Sequence, residues 1–337
     1  MQVVRLHGVE DVRLDDVEQP ELGPRDALLR IEACGICGSD LGYIKVGGVA
    51  GPSSKPLALG HEYSAVVLRV GSEVSNVAAG ARVVMNPVAG VNNIGNGHST
   101  SGGFCKEVVA RNVTDSGVLF EISDTLPSDR AALAEPLAVG IQAVNQADVR
   151  PDQKVAVFGA GCIGMMAMVT LKYRGFEDVA IVDLSEKRLE IARTLGADLT
   201  LNPKSDDVWA RLRERHGTDL LLGKIECVGT DAYIECTGNQ QVMTDIVAQA
   251  KSHAHISVPA LHREIFPMPL MTVMMKQLRI SGSMMYPDNF GETLELLSAV
   301  DLSPMITHKF ALDDFERALE TARNPQVAGK VMIEFPE

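Results

Sequence analysis

The sequence predicts an α/β chain, with a doubly wound parallel sheet joined to a mostly β domain. Three observations lead there. Residues 154–185 read as strand, glycine turn, helix, strand. Residues 1–33 alternate apolar and polar side chains between Gly and Pro, a half-buried β pattern. Beyond residue 183, short apolar runs alternate with helical segments, the rhythm of a parallel sheet.

The 154–185 stretch organises the chain. Val155, Val157 and Phe158 form an apolar run suited to a strand buried on both faces. Gly159-Ala160-Gly161-Cys162-Ile163-Gly164 breaks it, Ile163–Tyr173 has helical composition, and Val179–Val182 is a second apolar strand ending in Asp183. In that context the glycines fit a Rossmann dinucleotide turn. Gly159 permits the tight turn, Gly161 lets a pyrophosphate approach the backbone, and Gly164 lets the helix lie close to the strand. The helix N-terminus, starting near Ile163, offers N–H groups to the phosphates. Asp183 suits the two ribose hydroxyls and repels a 2′-phosphate, which argues for NAD over NADP.

Composition narrows the class. With 46% apolar but only 4% aromatic residues, the cores of this 337-residue chain must be aliphatic and methionine-rich. A net charge of −13 works against nucleic acid and anionic membranes as partners. There is no run of about 18 apolar residues to span a bilayer. The first residues do not read as a signal peptide, and six scattered cysteines do not form a disulfide framework. A reduced, cytoplasmic enzyme is the expectation.

Other stretches carry candidate chemistry. Cys34-Gly35-Ile36-Cys37 lacks the second pair a zinc ribbon needs, and its β-rich surroundings do not suit a thioredoxin-like redox pair. Gly60-His61-Glu62 enters an apolar strand, and an acid there must be paired or bound to metal. Neighbours in a strand point to opposite faces, so both reach one ion only if the backbone turns, which Gly60 allows.

Cys34-Gly35-Ile36-Cys37-Gly38-Ser39-Asp40, then Gly60-His61-Glu62, then Ala134-Glu135-Pro136-Leu137-Ala138-Val139-Gly140, then the glycine turn, resemble the zinc-dependent medium-chain dehydrogenase/reductase family over nearly the whole chain. The nearest branch holds sorbitol, butanediol, idonate and threonine dehydrogenases. The resemblance implies a GroES-like catalytic domain over 1–148 and 287–337, a Rossmann domain over 149–286, and chemistry in a cleft between them. It implies one catalytic zinc on Cys37, His61 and Glu62, with Glu135 as an exchangeable fourth ligand or holder of the zinc water. In some relatives the glutamate matching Glu62 stays out of direct contact. Zinc lowers the pKa of a bound hydroxyl, as it lowers that of water from about 15.7 to about 7. Ser39 is implied as first proton carrier and Asp40 as the residue orienting a ligand.

The sequence also departs from the family. A histidine that commonly follows the serine is replaced by Gly42, so the proton must leave by water or another group. Tyr43 matches a tyrosine of the sorbitol dehydrogenase cleft, or is an ordinary half-buried one. Residues 88–104 lack the four cysteines that hold a structural zinc in many relatives, and His98 cannot replace them; Cys105 reads as core. Arg188 is implied near the adenosine ribose, Thr237 beside the cofactor and Val258 near the nicotinamide. Met285 stands where sorbitol enzymes carry a polyol-binding arginine. It implies a less polar substrate, a secondary alcohol, ketone or diol, unless Met284 and Met285 simply fill core.

The expected protein is an NAD-dependent zinc alcohol or polyol dehydrogenase acting on a small molecule as a homodimer or homotetramer. A polyol, sugar-acid, amino-alcohol or threonine dehydrogenase is the alternative. More distant are a non-enzymatic NAD(H) sensor and a zinc-free quinone reductase. Residues 217–230 are expected to form a surface hairpin, 262–286 two strands, and 287–337 helix, strand, helix, strand.

Overall fold

The computed structural model describes residues 1–97 and 99–336; His98 lies outside the described residues. The chain divides into two units, Met1–Glu135 with Asp301–Asn324 and Lys330–Glu337, and Pro136–Val300 with Pro325–Gly329. The boundaries drawn from the sequence, 148/149 and 286/287, fall inside the second unit. The helix Ala134–Ala147 runs on past Pro136 without a break, so its body stays with the second unit. The helix Gly291–Ala299 does likewise; its Glu292 holds Arg174 at 2.8 Å.

The first unit is β-rich. Its main sheet runs in the order Ile306–Ala311, Lys330–Glu334, Ala27–Gly35, Glu62–Val70, Arg82–Met85, Leu119–Glu121, and Glu107–Ala110 also pairs with Ala27–Gly35. Apart from the parallel pair at its C-terminal edge, these pairings are antiparallel. Leu29, Ile31, Ala65, Val67, Val83, Met332 and Ile333 are buried, and the runs of consecutive buried residues in Ala27–Gly35 and Lys330–Glu334 show both faces of the sheet covered there. A smaller sheet pairs Gln2–Gly8 with Asp11–Asp16 and Leu57–Ala58.

The second unit is an all-parallel six-stranded sheet ordered Leu199–Leu201, Val179–Val182, Val155–Phe158, Ala232–Glu235, His255–Val258, Arg279–Gly282. Counted within the unit this is 3-2-1-4-5-6, the dinucleotide-binding order, with the strand order reversing beside Val155–Phe158. All four residues of the two central strands Val155–Phe158 and Ala232–Glu235 are buried. The core is aliphatic around few rings: Phe158 stacks on Trp209 at 5.4 Å and lies 6.2 Å from Tyr233.

Residues 218–228 form the expected antiparallel hairpin. Three residues, 222–224, make its turn, and Leu222 and Gly223 both have positive φ, which matches the twist of the flanking strands. Residues 262–286, expected as two strands, hold one helix, Leu270–Lys276, and one strand, Arg279–Gly282. Pro267 and Pro269 remove backbone donors from the first apolar stretch, and Pro269 instead caps a helix rich in Met. The C-terminal order of helix, strand, helix, strand is as read, with two short 3₁₀ turns added.

Candidate metal centre and dinucleotide turn

The metal candidates come together in the first unit. Strand Ala27–Gly35 ends just after Cys34, and Cys37 caps the N-terminus of helix Gly38–Val46. That helix was not evident in the sequence. Gly60, at φ +89°, makes the backbone turn that carries His61 and Glu62 to one place; a side chain there would strike Phe104. Ligand atoms of Cys37, His61 and Glu62 lie within 4.8 Å of one another, and among the described residues no other group of three is so placed.

The surroundings fix each donor. His61 Nδ1 lies 3.2 Å from the Gly95 carbonyl, which only accepts, so Nδ1 carries a proton and Nε2 is the nitrogen left to face a metal. Ser39 Oγ is 3.4 Å from that Nε2. Buried Asp40 accepts the Cys37 N–H at 2.9 Å and the Gly60 N–H at 3.3 Å, tying both ligand-bearing turns to one carboxylate. Burial raises the Asp40 pKa, with His61 opposing it. Burial also disfavours charge on His61, yet Cys37 and Asp40 hold its pKa well above the ordinary value, and Glu135 adds to this. Glu135 is buried in the first turn of helix Ala134–Ala147, just beyond the break at Ala132–Leu133.

Glu62 is fully buried. Its Oε2 accepts from Lys330 Nζ at 2.5 Å, while Oε1 has no hydrogen-bond partner among the described residues. A buried carboxylate oxygen without a donor fits a cation. Thiolate, imidazole and carboxylate are zinc ligand types, so the residues fit that metal. Cys34 and Cys105 are core: burial raises the Cys34 thiol well above its ordinary range and pushes Cys105 up to about 12. Tyr43, one turn after Ser39, is half-buried with its ring against Gly97; burial raises its pKa and Ser39 interacts with its hydroxyl.

The dinucleotide turn lies in the second unit. Gly159 has φ +99°, and Gly161 caps helix Cys162–Tyr173, with half-buried Ile163 in its first turn. A Cβ on Gly164 would sit 1.8 Å from the Gly159 oxygen, so helix and strand approach as closely as backbone allows. A Cβ on Gly161 would meet only Arg188 Nη1 at 3.9 Å, leaving open space where a phosphate approaches. Asp183 accepts the Ala160 N–H at 2.7 Å and the Ser185 N–H at 2.8 Å, which fixes its carboxylate against the turn. Arg188 donates to the Ala328 carbonyl at 3.1 Å; burial lowers its pKa and Asp183 opposes this. Val258 ends the fifth strand. Thr237 follows the fourth, with its N–H and hydroxyl on buried Glu235. Glu235 also holds His262 at 2.8 Å. Met284 and Met285 are both exposed and fill no core; Met285 has φ +66°.

A Rossmann sheet, a β-rich unit and a thiolate–imidazole–carboxylate cluster define a zinc-dependent dehydrogenase. Comparison with known proteins agrees. Residues 23–119 match the alcohol dehydrogenase GroES-like domain, and residues 162–299 the zinc-binding dehydrogenase domain. The chain is 30% identical to L-idonate 5-dehydrogenase of Vitis vinifera, over 97% of this chain and 93% of that one. It is 31% identical to sorbitol dehydrogenase of Homo sapiens, over 94% and 91%. The crystal structure of 2R,3R-butanediol dehydrogenase from Bacillus subtilis superposes with a TM-score of 0.87 at 27% identity, over 99% of each chain. A zinc-binding dehydrogenase from Sinorhizobium meliloti bound to NADP gives 0.84 at 28%, over 99% of each. The chain belongs to the zinc-dependent medium-chain dehydrogenase/reductase family. It is an oxidoreductase of the sorbitol, butanediol and idonate dehydrogenase type, using zinc and a nicotinamide cofactor on a small molecule. No helix among the described residues is long and apolar enough to cross a membrane.

Proposed function

We propose that the protein transfers a hydride between NAD and a small secondary alcohol, ketone or diol, with one catalytic zinc per chain. The observation that carries this is the buried cluster of Cys37, His61 and Glu62 with its unpartnered carboxylate oxygen. When bound there, zinc supplies Lewis acidity and the nicotinamide supplies the hydride acceptor.

The chain's own residues do the rest. Asp40 holds the Cys37 and Gly60 turns in place, and the Gly95 carbonyl orients the His61 ring with Nε2 away from it. Ser39 Oγ takes the substrate hydroxyl proton, because a hydroxyl accepts one proton while donating another. With Gly42 offering no side chain, Tyr43 on the same helix face is the next group outward, and it also lines the substrate site. Glu135 is the exchangeable fourth ligand or holds a water there. Its buried place beside His61 suits either role.

Asp183 favours NAD, since its carboxylate faces the turn and repels a 2′-phosphate. Gly159, Gly161, Ile163 and Gly164 cradle the pyrophosphate; Arg188, Thr237 and Val258 flank the cofactor. Exposed Met285 favours substrates less polar than sorbitol. The names of the idonate and sorbitol relatives favour a second reading, a polyol or sugar-acid dehydrogenase. The lack of cysteines in 88–104 supports the absence of a structural zinc. Strand Arg279–Gly282 pairs on one side only, and such an edge suits association of copies into a homodimer or homotetramer.

The test is NADH formation from NAD⁺ over simple secondary alcohols, vicinal diols, threonine, sorbitol and sugar acids, with zinc content measured on the same sample. Turnover of alcohols or diols is expected. Turnover confined to polyols or sugar acids overturns the Met285 argument, and NADP preferred over NAD overturns the role given to Asp183.

A further inference from the structure

Lys330 opens the C-terminal strand of the first unit, and its side chain is 2% exposed. A buried ammonium is kept only where acceptors take its protons. Lys330 Nζ donates to Glu62 Oε2 at 2.5 Å and to the Ile36 carbonyl at 3.2 Å. The second bond ties it to the residue before Cys37. The gap between the two charged side chains is made by Gly35, which pairs with Glu62 on one side and Met332 on the other. A Cβ on Gly35 would lie 2.3 Å from Glu62 Oε2 and 3.3 Å from Lys330 Cδ. Three strands therefore build a closed slot that holds one oxygen of Glu62 and leaves Oε1 without a partner.

We infer that Lys330 is a positioning residue that restricts Glu62 to one-oxygen ligation of the metal. A free carboxylate can turn both oxygens to a cation; here Oε2 is occupied by an ammonium that cannot accept. Restricting Glu62 to one oxygen keeps the coordination number low and a position open for substrate. The Lys330 charge also offsets that of Glu62, leaving the metal more electrophilic than two full anions would. This rests on the reading of Cys37, His61 and Glu62 as zinc ligands.

The experiment replaces zinc with Co²⁺ in the full-length protein and records visible d–d absorption, which is strong for four-coordinate cobalt and weak at higher coordination number. Lys330→Met is expected to bind one cobalt per chain with its visible bands reduced at least twofold, as the second oxygen joins the metal. Lys330→Arg, which keeps charge and donors, should restore the original spectrum. Lys330→Leu serves in place of Lys330→Met if the latter does not fold. An unchanged spectrum in the neutral variants overturns the positioning role. Glu62→Ala separates the two claims: a spectrum unchanged by it shows that Glu62 is not a ligand, and failure of the unsubstituted protein to bind cobalt refutes the metal site itself.

Discussion

Two neighbouring glycines of the dinucleotide turn should respond to the same substitution in different ways. In Gly164→Ala the new Cβ would lie 1.8 Å from the Gly159 oxygen, whereas real Cβ atoms stay beyond 3.0 Å. Both partners are main chain, so helix Cys162–Tyr173 must move off strand Val155–Phe158 by at least 1.2 Å, the gap between those two distances. Overpacking of this kind costs about 1–3 kcal/mol. In a unit of this size that lowers the melting temperature by about 2–4 °C per kcal/mol. The same shift pulls the N-terminal N–H groups out of hydrogen-bond range of a pyrophosphate. Losing one charge-assisted bond, worth about 1.5–3 kcal/mol, weakens NADH binding at least about tenfold. In Gly161→Ala the new Cβ meets only Arg188 Nη1 at 3.9 Å, and the glycine's φ of −68° suits alanine. That variant should melt like the original yet lose NADH affinity, because its methyl fills the space left for phosphate. Melting curves with NADH fluorescence titrations decide it. Tight NADH binding by Gly164→Ala, or equal destabilisation by both variants, would refute the reasoning.

Other consequences can be checked separately. Asp40→Asn places an amide against the two N–H groups its carboxylate accepts, and should weaken zinc retention about 10–100-fold in chelator competition. Asp183→Asn keeps an acceptor for the Ala160 N–H but removes the charge, so catalytic efficiency should fall about tenfold with NAD and rise with NADP. Acid should destabilise the chain in two stages. Burial depresses the pKa of His216, with Asp178 opposing it, so its neutral form supports folding above the unfolded pKa of about 6.5 and that support fades below it. Asp26 is also depressed: burial pushes its pKa up, but the Asn112 N–H, Arg111 and the Gly23 N–H outweigh it. Its contribution is present above the unfolded value of about 3.9 and is lost as pH falls through the lower folded one. Urea midpoints measured from pH 8 down to pH 3 should show the upper stage vanish in His216→Gln and the lower one in Asp26→Asn. Met285→Arg should raise turnover of sorbitol relative to simple secondary alcohols in the NADH assay.

What the sequence made legible, and what it hid, follows from the range of the interactions. The strand–turn–helix–strand unit is local: Gly159, Gly161, Gly164 and Asp183 lie within one stretch, so turn chemistry and apolar runs suffice to read it. Residue type marked His61 and Glu62, because a carboxylate entering an apolar strand demands a partner, while Cys37 joined them only through the family resemblance. What the sequence could not name was that partner. Lys330 is 268 positions away from Glu62 and reaches it across Gly35 through two strand pairings, so no local pattern marks either residue as belonging to the site. Glu235 and His262 were missed for the same reason, since they meet only when the ends of strands four and five are set side by side. The helix after Cys37 was hidden differently. Two glycines in its nine residues weaken its propensity, and what holds its first turn is Asp40 accepting the Cys37 N–H. Asp40 thus starts the helix and aligns the ligands with one carboxylate. Its replacement should therefore disturb Ser39 and Tyr43, which ride on that helix, as well as the metal donors.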